Sequence, residues 1–175
     1  MRTGLVIFSA VLTTAVASVS VLAYPEGAPA AHTGGFNEQN CGQCHYAGAP
    51  TGALTISGWP AQLEAGQRYP LEVLIGNSEA VVAGVQLSLR QADGKAFGQF
   101  IVADDSALQV TTQAGIQYLT HRAPQPLQNG SARWQLLWQA PASVSGEPII
   151  HASAVVANDD QSPLGDGVLT LEQKP

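Results

Sequence analysis

From residue 53 to its end, the chain consists of short runs of alternating apolar and polar residues, separated by turn-forming residues. A period of two places every second side chain on the same face, which is typical of a strand buried on one side. None of these runs has the 3.6-residue period of an amphipathic helix. Seven to nine short strands in about 120 residues predict an all-β fold, an antiparallel immunoglobulin-like β-sandwich. The clearest runs are 54–56, 69–75, 85–89, 134–138, 149–156 and 168–171.

Residues 24–52 have a different character. They are rich in glycine, alanine and proline, follow no regular period, and contain both cysteines and two of the four histidines. We expect an irregular segment with one short helical turn around the cysteines. The chain of 175 residues is long enough for one domain with its own core. We therefore expect this segment to form a single domain with the β-sandwich of residues 53–175.

Residues 1–23 have the pattern of a signal peptide. Arg2 is followed by an uncharged apolar run over 5–22, and small residues precede a cleavage point near Ala23. Cleavage there predicts a periplasmic or secreted mature protein. The alternative is an uncleaved anchor, because the apolar run is about long enough to span a bilayer. Beyond this segment we expect no contact with a membrane.

The charge balance excludes some partners. The chain has 13 acidic and 7 basic residues, a net charge of −6, and only 11% charged residues. No basic patch is available to neutralise phosphates, so a nucleic-acid partner is not expected. The acidic residues Asp159, Asp160 and Asp166 do not have the spacing of an EF-hand. We expect them in solvated turns rather than in a calcium site.

The sequence Cys41-Gly-Gln-Cys44-His45 carries the strongest chemical signal. Cys-x-x-Cys-His is the attachment pattern of c-type haem. Two thiols separated by two residues can reach the two vinyl groups on one porphyrin edge, and the next histidine then lies beneath the iron. The sequence thus predicts one covalent haem c, with Cys41 and Cys44 as thioethers and His45 as the proximal iron ligand. A disulfide across so short a loop would constrain the unfolded chain little.

Two other kinds of site compete with haem. A structural zinc site needs four ligands, and this chain has no second cysteine pair. His32, His121 and His151 also lack the short spacing of a zinc finger. A thioredoxin-like dithiol follows a strand at the start of a helix. Nothing before Cys41 has a strand pattern, so haem is favoured over zinc, a dithiol or a disulfide.

The candidates for the sixth iron ligand can be reduced by elimination. The only methionine is Met1, inside the signal segment, so a His/Met site is excluded in the mature chain. The remaining candidates are His32, His121 and His151, or no protein ligand at all. His151 lies inside an apolar strand and His32 in a loop. His121 ends a strand-like run at 117–120, where it could reach a haem on an adjoining segment.

Five segments resemble parts of a known family and occur in the same order along the chain. They are Thr33-Gly-Gly-Phe-Asn-Glu-Gln-Asn-Cys41-Gly-Gln-Cys44-His45, Gly84-Val-Gln-Leu87, Gln117-Tyr-Leu-Thr-His121, Trp134-Gln-Leu-Leu-Trp138-Gln-Ala-Pro141 and the stretch 151–166. Together they resemble the reelin-N-terminal-like, or choice-of-anchor V, domains of exported bacterial proteins with a haem-type CxxCH motif. The resemblance covers 33–171 and departs at Gly84-Val85, where Gly-Phe is usual. It implies a β-sandwich with a haem-bearing N-terminal segment, and His121 as the distal iron ligand.

We therefore expect an exported monohaem c-type cytochrome that transfers electrons with bis-His ligation. No Ser-His-Asp set, phosphate loop or pair of carboxylates can be argued from spacing, so an electron carrier is favoured over an enzyme. One alternative is a haem-based gas or redox sensor, or a small haem enzyme, with an open sixth position. Another is a non-haem β-sandwich binding module with a CxxC disulfide. The sequence specifies neither the redox partner protein nor the oligomeric state.

Overall fold

The computed structural model describes residues 24–76 and 78–175. Within these residues the regular structure is eleven β-strands and a three-residue 3-10 turn over Cys41–Gln43, so the all-β prediction is confirmed. The signal peptide predicted for 1–23 lies outside the described residues. Among the residues that are described, none forms a helix with the length and apolar character needed to cross a membrane.

The strands form two sheets packed face to face. The larger sheet has the order β1-β11-β10-β4-β7-β6 with β8 beside β4, and the smaller has the order β2-β3-β9-β5. Pairing between these strands is antiparallel except for the two-residue parallel pair of β1 and β11, so the antiparallel sandwich is confirmed with that exception. The bounds are β1 Tyr46–Ala47, β2 Ala53–Ser57, β3 Arg68–Gly76, β4 Val82–Arg90, β5 Gln99–Ile101, β6 Leu108–Gln113, β7 Ile116–His121, β8 Gln125–Pro126, β9 Ala132–Gln139, β10 Ile149–Ala157 and β11 Leu164–Gln173.

The core lies between the inner faces of the sheets. On β3 and β9 the alternating apolar residues pair across the strands, Val73 with Trp134 and Leu71 with Leu136. Trp138 is fully buried, and its indole Nε1 donates a hydrogen bond to the carbonyl oxygen of Phe97 at 3.2 Å. Each large apolar side chain buried here contributes about 1.5–3 kcal/mol relative to exposure. Because these side chains fill the interior, a cofactor site must lie outside this core.

The N-terminal segment covers the outer face of the larger sheet. On this face Gln86 of β4 is buried and binds the backbone of the segment at three points. Its Oε1 accepts a hydrogen bond from His32 N–H at 2.7 Å, and its Nε2 donates to the carbonyl oxygens of Ala28 and Pro29 at 3.1 and 2.8 Å. A single buried amide therefore fixes the path of the chain before the cysteines.

A second anchor holds the segment just before the cysteines. The Glu38 carboxylate accepts hydrogen bonds from Arg90 of β4, Tyr118 of β7 and the hydroxyl of Thr33. Burial alone would raise the pKa of Glu38, but these hydrogen bonds hold it below its ordinary value. The Arg90 guanidinium also lies 4.9 Å from the centre of the Phe36 ring. This charged cluster ties the cysteine-bearing segment to two neighbouring strands.

Candidate haem site

The Cys-x-x-Cys-His motif forms one tight turn. Asn40 precedes the turn and its side-chain oxygen accepts a hydrogen bond from Gly42 N–H at 2.8 Å, which caps it. The N–H groups of Cys44 and His45 donate to the carbonyl oxygen of Cys41 at 3.2 and 3.0 Å. The short helical turn expected around the cysteines is therefore present, and it brings both thiols and the imidazole into one compact unit.

Cys41 is the buried end of this turn. Cys41 is 8% exposed, and its N–H donates to the hydroxyl of Ser153 on β10 at 3.1 Å. Burial raises the pKa of the Cys41 thiol to about 11, against a smaller lowering by the hydrogen bond with Ser153. Cys44 is only half-buried, and both residues are free cysteines. As a free thiol, Cys41 would therefore be protonated at neutral pH rather than a reactive thiolate.

His45 is oriented by a buried carboxylate. Its Nδ1 lies 2.7 Å from Oδ2 of Asp166, which is 3% exposed. The residues after His45 form β1 and pair with β11, Tyr46 opposite Leu164 and Ala47 opposite Asp166, so the backbone fixes this contact. With Nδ1–H donating to the carboxylate, the Nε2 lone pair is left to bind a metal, an arrangement common among metal-binding histidines. Asp166 is therefore buried rather than in the solvated turn expected from the sequence.

His121 occupies a gap in the larger sheet. The β4–β7 pairing ends with Gln86 opposite Thr120, so the next backbone groups of β4 have no strand beside them. The His121 ring fills this place, with Nδ1 3.0 Å from the N–H and 3.1 Å from the carbonyl oxygen of Val85. A β-carbon at Gly84 would lie 2.6 Å from Cε1 of the ring, so glycine is needed beneath it. The strand end predicted for His121 is confirmed.

The protonation of His121 decides what it can bind. Burial lowers the pKa of His121, the hydrogen bond with Val85 opposes this, and a charged His45 would lower it further. The ring is therefore neutral at neutral pH. When Nδ1–H donates to the Val85 carbonyl oxygen, Nε2 carries the free lone pair and can bind iron. When Nε2 carries the proton, Nδ1 accepts from Val85 N–H and the ring cannot serve as a ligand.

One cavity of about 620 Å³ is lined by Cys41, Cys44, His45 and His121. This volume falls in the range of sites that bind cofactors. The four residues predicted from the sequence thus meet at one place, although their roles as thioethers and iron ligands stay predictions. Much of the remaining wall is apolar, including Pro25, Pro29, Val82, Val85, Pro124 and Val155.

The two other histidines differ in their relation to this cavity. His32 also lines it, with Nδ1 3.1 Å from the carbonyl oxygen of Pro29, so it is a rival for the sixth position. His151 is half-buried on β10 outside the lining, where its ring contacts the Phe36 ring edge-on at 4.9 Å. Its Nε2 lies 3.2 Å from a Glu172 carboxylate oxygen. His151 therefore belongs to the contact between the segment and the sheet.

The described residues contain no site for a free metal ion. In the part of the chain that the structure describes, no three or more His, Cys, Asp or Glu side chains are grouped so that they could hold a metal ion. A zinc site requires such a group. Haem iron takes only axial ligands from the protein. Haem binding therefore does not require a group of this kind.

No family model matches the chain, and no curated protein matches it. Among solved structures, the fold is similar to a human F-spondin reeler domain at 20% identity and a TM-score of 0.47, covering 73% of this chain and 93% of that one. It is similar to the Reelin-N domain of F-spondin at 18% identity and a TM-score of 0.48, covering 74% and 89%. It is also similar to a cohesin module of a Clostridium perfringens family 33 glycoside hydrolase at 13% identity and 0.47, covering 72% and 97%. The resemblance to haem-bearing choice-of-anchor V domains stays a prediction.

Replacing Ser153 with alanine is expected to lower the free energy of unfolding by about 1–3 kcal/mol, because the buried Cys41 N–H loses its acceptor. Denaturation in urea measures this. Ser88→Ala is the matched control. Both serines are fully buried, but the Ser88 hydroxyl has no hydrogen-bond partner among the described residues. Its removal is expected to be neutral or stabilising, and equal losses in the two variants would contradict a stabilising role for the hydrogen bond from Cys41 N–H to Ser153.

Proposed function

We propose that this chain is an exported monohaem c-type cytochrome that transfers electrons, with haem bound through Cys41 and Cys44 and iron held by His45 and His121. One observation carries the proposal: these four side chains line a single cavity, and Nδ1 of each imidazole contacts a fixed protein group. An imidazole that donates its Nδ1 proton to such a group holds Nε2 in a set direction for a metal.

The residues that line the cavity suit a bound haem. A bound haem would supply one-electron exchange at its iron. Val82 and Val155 in the cavity wall would exclude water and keep the local dielectric low. The buried position of Cys41 suits a thioether, which has no charge to desolvate and no hydrogen bond to satisfy. Two histidine ligands would leave no open iron position, which favours electron transfer over catalysis.

The pyridine haemochrome spectrum tests this proposal. The chain would be produced with its first 23 residues in a bacterium that exports proteins and attaches haem c. The purified protein is expected to show a c-type spectrum, with the haem retained by the polypeptide after acidified acetone extraction. A colourless protein, or haem that is fully extracted, would overturn the proposal.

A second candidate is a non-haem binding module with a Cys41–Cys44 disulfide. The 3-10 turn favours it because side chains three positions apart lie on the same side of such a turn. Cys44 is also close enough to contribute to the raised pKa of Cys41. A stable colourless protein without free thiols would support this candidate, whereas the cytochrome has both sulfurs in thioether bonds.

A further inference from the structure

The Asp166 carboxylate beside His45 makes its side-chain hydrogen bond to that imidazole alone among the described residues. Asp166 is 3% exposed, and its Oδ2 lies 2.7 Å from His45 Nδ1. Its other oxygen, Oδ1, is buried and has no hydrogen-bond partner among the described residues. A buried charge is costly unless a partner compensates it. Among the described residues, the imidazole of His45 is therefore the one side chain that compensates the buried carboxylate of Asp166.

Backbone contacts hold the segments of His45 and Asp166 next to each other. Gly48 N–H donates to the carbonyl oxygen of Asp166 at 3.1 Å. A β-carbon at Gly48 would lie 2.1 Å from the carbonyl oxygen of Gly165 and 2.6 Å from that of Asp166, so the two chain segments approach more closely than a larger residue allows. His45 lies three residues before this contact. Two backbone segments rather than a mobile loop thus set the distance between the imidazole and the carboxylate.

We propose that Asp166 is a positioning residue that increases the electron donation of His45 and lowers the reduction potential of the haem iron. This inference rests on the proposed function. A hydrogen bond from Nδ1–H to a full negative charge makes Nε2 a more basic ligand. A more basic ligand stabilises ferric over ferrous iron, and the low dielectric around a buried carboxylate strengthens the effect. Hydrogen bonding around the iron ligands is one of the means by which a protein sets the potential of a haem.

Asp159 offers a matched control for charge alone. It lines the same cavity but is exposed, and its backbone has a φ of 63°, which asparagine adopts readily. Asp159→Asn and Asp166→Asn each remove one negative charge from the cavity wall. Only the second removes the charge from the group that contacts His45.

The test measures the midpoint potential of both variants in the mature haem-loaded protein by spectroelectrochemistry at low and high salt. D166N is expected to raise the potential more than D159N while the low-spin spectrum is retained. Salt screens an exposed charge, so the D159N shift should shrink at high salt and the D166N shift should persist. Asp166→Ser, a smaller neutral variant, is expected to shift the potential in the same direction and replaces D166N if that variant does not fold.

The outcomes separate this inference from the proposed function. A wild-type chain without c-type haem overturns both. A haem-loaded chain in which D166N has the wild-type potential, or shifts no more than D159N, overturns the role of Asp166 alone. A larger, salt-resistant upward shift in D166N supports it, because a purely structural residue would change the spectrum or the stability instead.

Discussion

Replacing both Cys41 and Cys44 with alanine is expected to give an exported chain that carries no covalently bound haem. The two sulfurs are the only thiols in the sequence, so no other residue can form a thioether. Alanine is small and apolar, and it leaves the hydrogen bond from the backbone of residue 41 to Ser153 in place. The fold is therefore expected to survive. A denaturing gel stained for haem, loaded with equal amounts of protein, measures the loss.

A control within the same turn separates attachment from a general disturbance of the motif. Gln43 lies between the cysteines, and its side chain is exposed. Gln43→Ala is expected to retain the full haem stain. The prediction fails if the double cysteine variant still carries covalent haem, or if Gln43→Ala loses it to the same extent.

Replacing His121 with alanine is expected to convert a low-spin haem spectrum to a high-spin one and to let the reduced protein bind carbon monoxide. The reason is the loss of the proposed sixth ligand from the cavity that His45 also lines. Visible spectra of both oxidation states, with and without carbon monoxide, measure the change. The variant also deprives the Val85 backbone of its partner, at a cost of about 1–3 kcal/mol. Circular dichroism must therefore show that the protein is still folded.

His32→Ala is the matched control, because His32 lines the same cavity. It is expected to keep the low-spin spectrum. A low-spin spectrum in His121→Ala together with a high-spin spectrum in His32→Ala would assign the sixth position to His32. Carbon monoxide binding by the unmutated reduced protein would instead favour a sensor or enzyme with an open iron position.

The sandwich could be predicted because three of its long strands have a clear period of two. Apolar residues recur at every second position of β3, β4 and β9, and this period is visible without a structure. The polar side chains between them on β4 are themselves buried beneath the N-terminal segment. Four observed strands have no clear alternating run in the sequence, for physical reasons. β1, β5 and β8 have two or three residues, too few to show a period, and β6 is polar and exposed over its second half. The eleven strands among the described residues therefore exceed the seven to nine predicted.

The attachment motif could be predicted because its residues are close in sequence. Cys41, Cys44 and His45 fall within five positions, so spacing alone indicates their chemistry. Asp166 lies 121 positions from His45 and comes from an acidic, glycine-containing stretch that resembles a solvated turn. It becomes a partner of His45 only through the pairing of β1 with β11.

His121 lies between these two cases. Its position after a strand-like run indicated a strand end. The gap beside Val85 that receives its ring depends on where the β4–β7 ladder stops. The role of Gly84 beneath the ring had no sequence signal of its own, because a glycine in a strand can serve several purposes.

The mass of the intact mature chain under denaturing conditions tests the central proposal most directly. A c-type cytochrome predicts the mass of the polypeptide plus one haem, since the thioether bonds to Cys41 and Cys44 survive denaturation. A mass equal to the unmodified polypeptide, or to the polypeptide with one disulfide, would contradict the assignment of Cys41, Cys44 and His45 as a haem site.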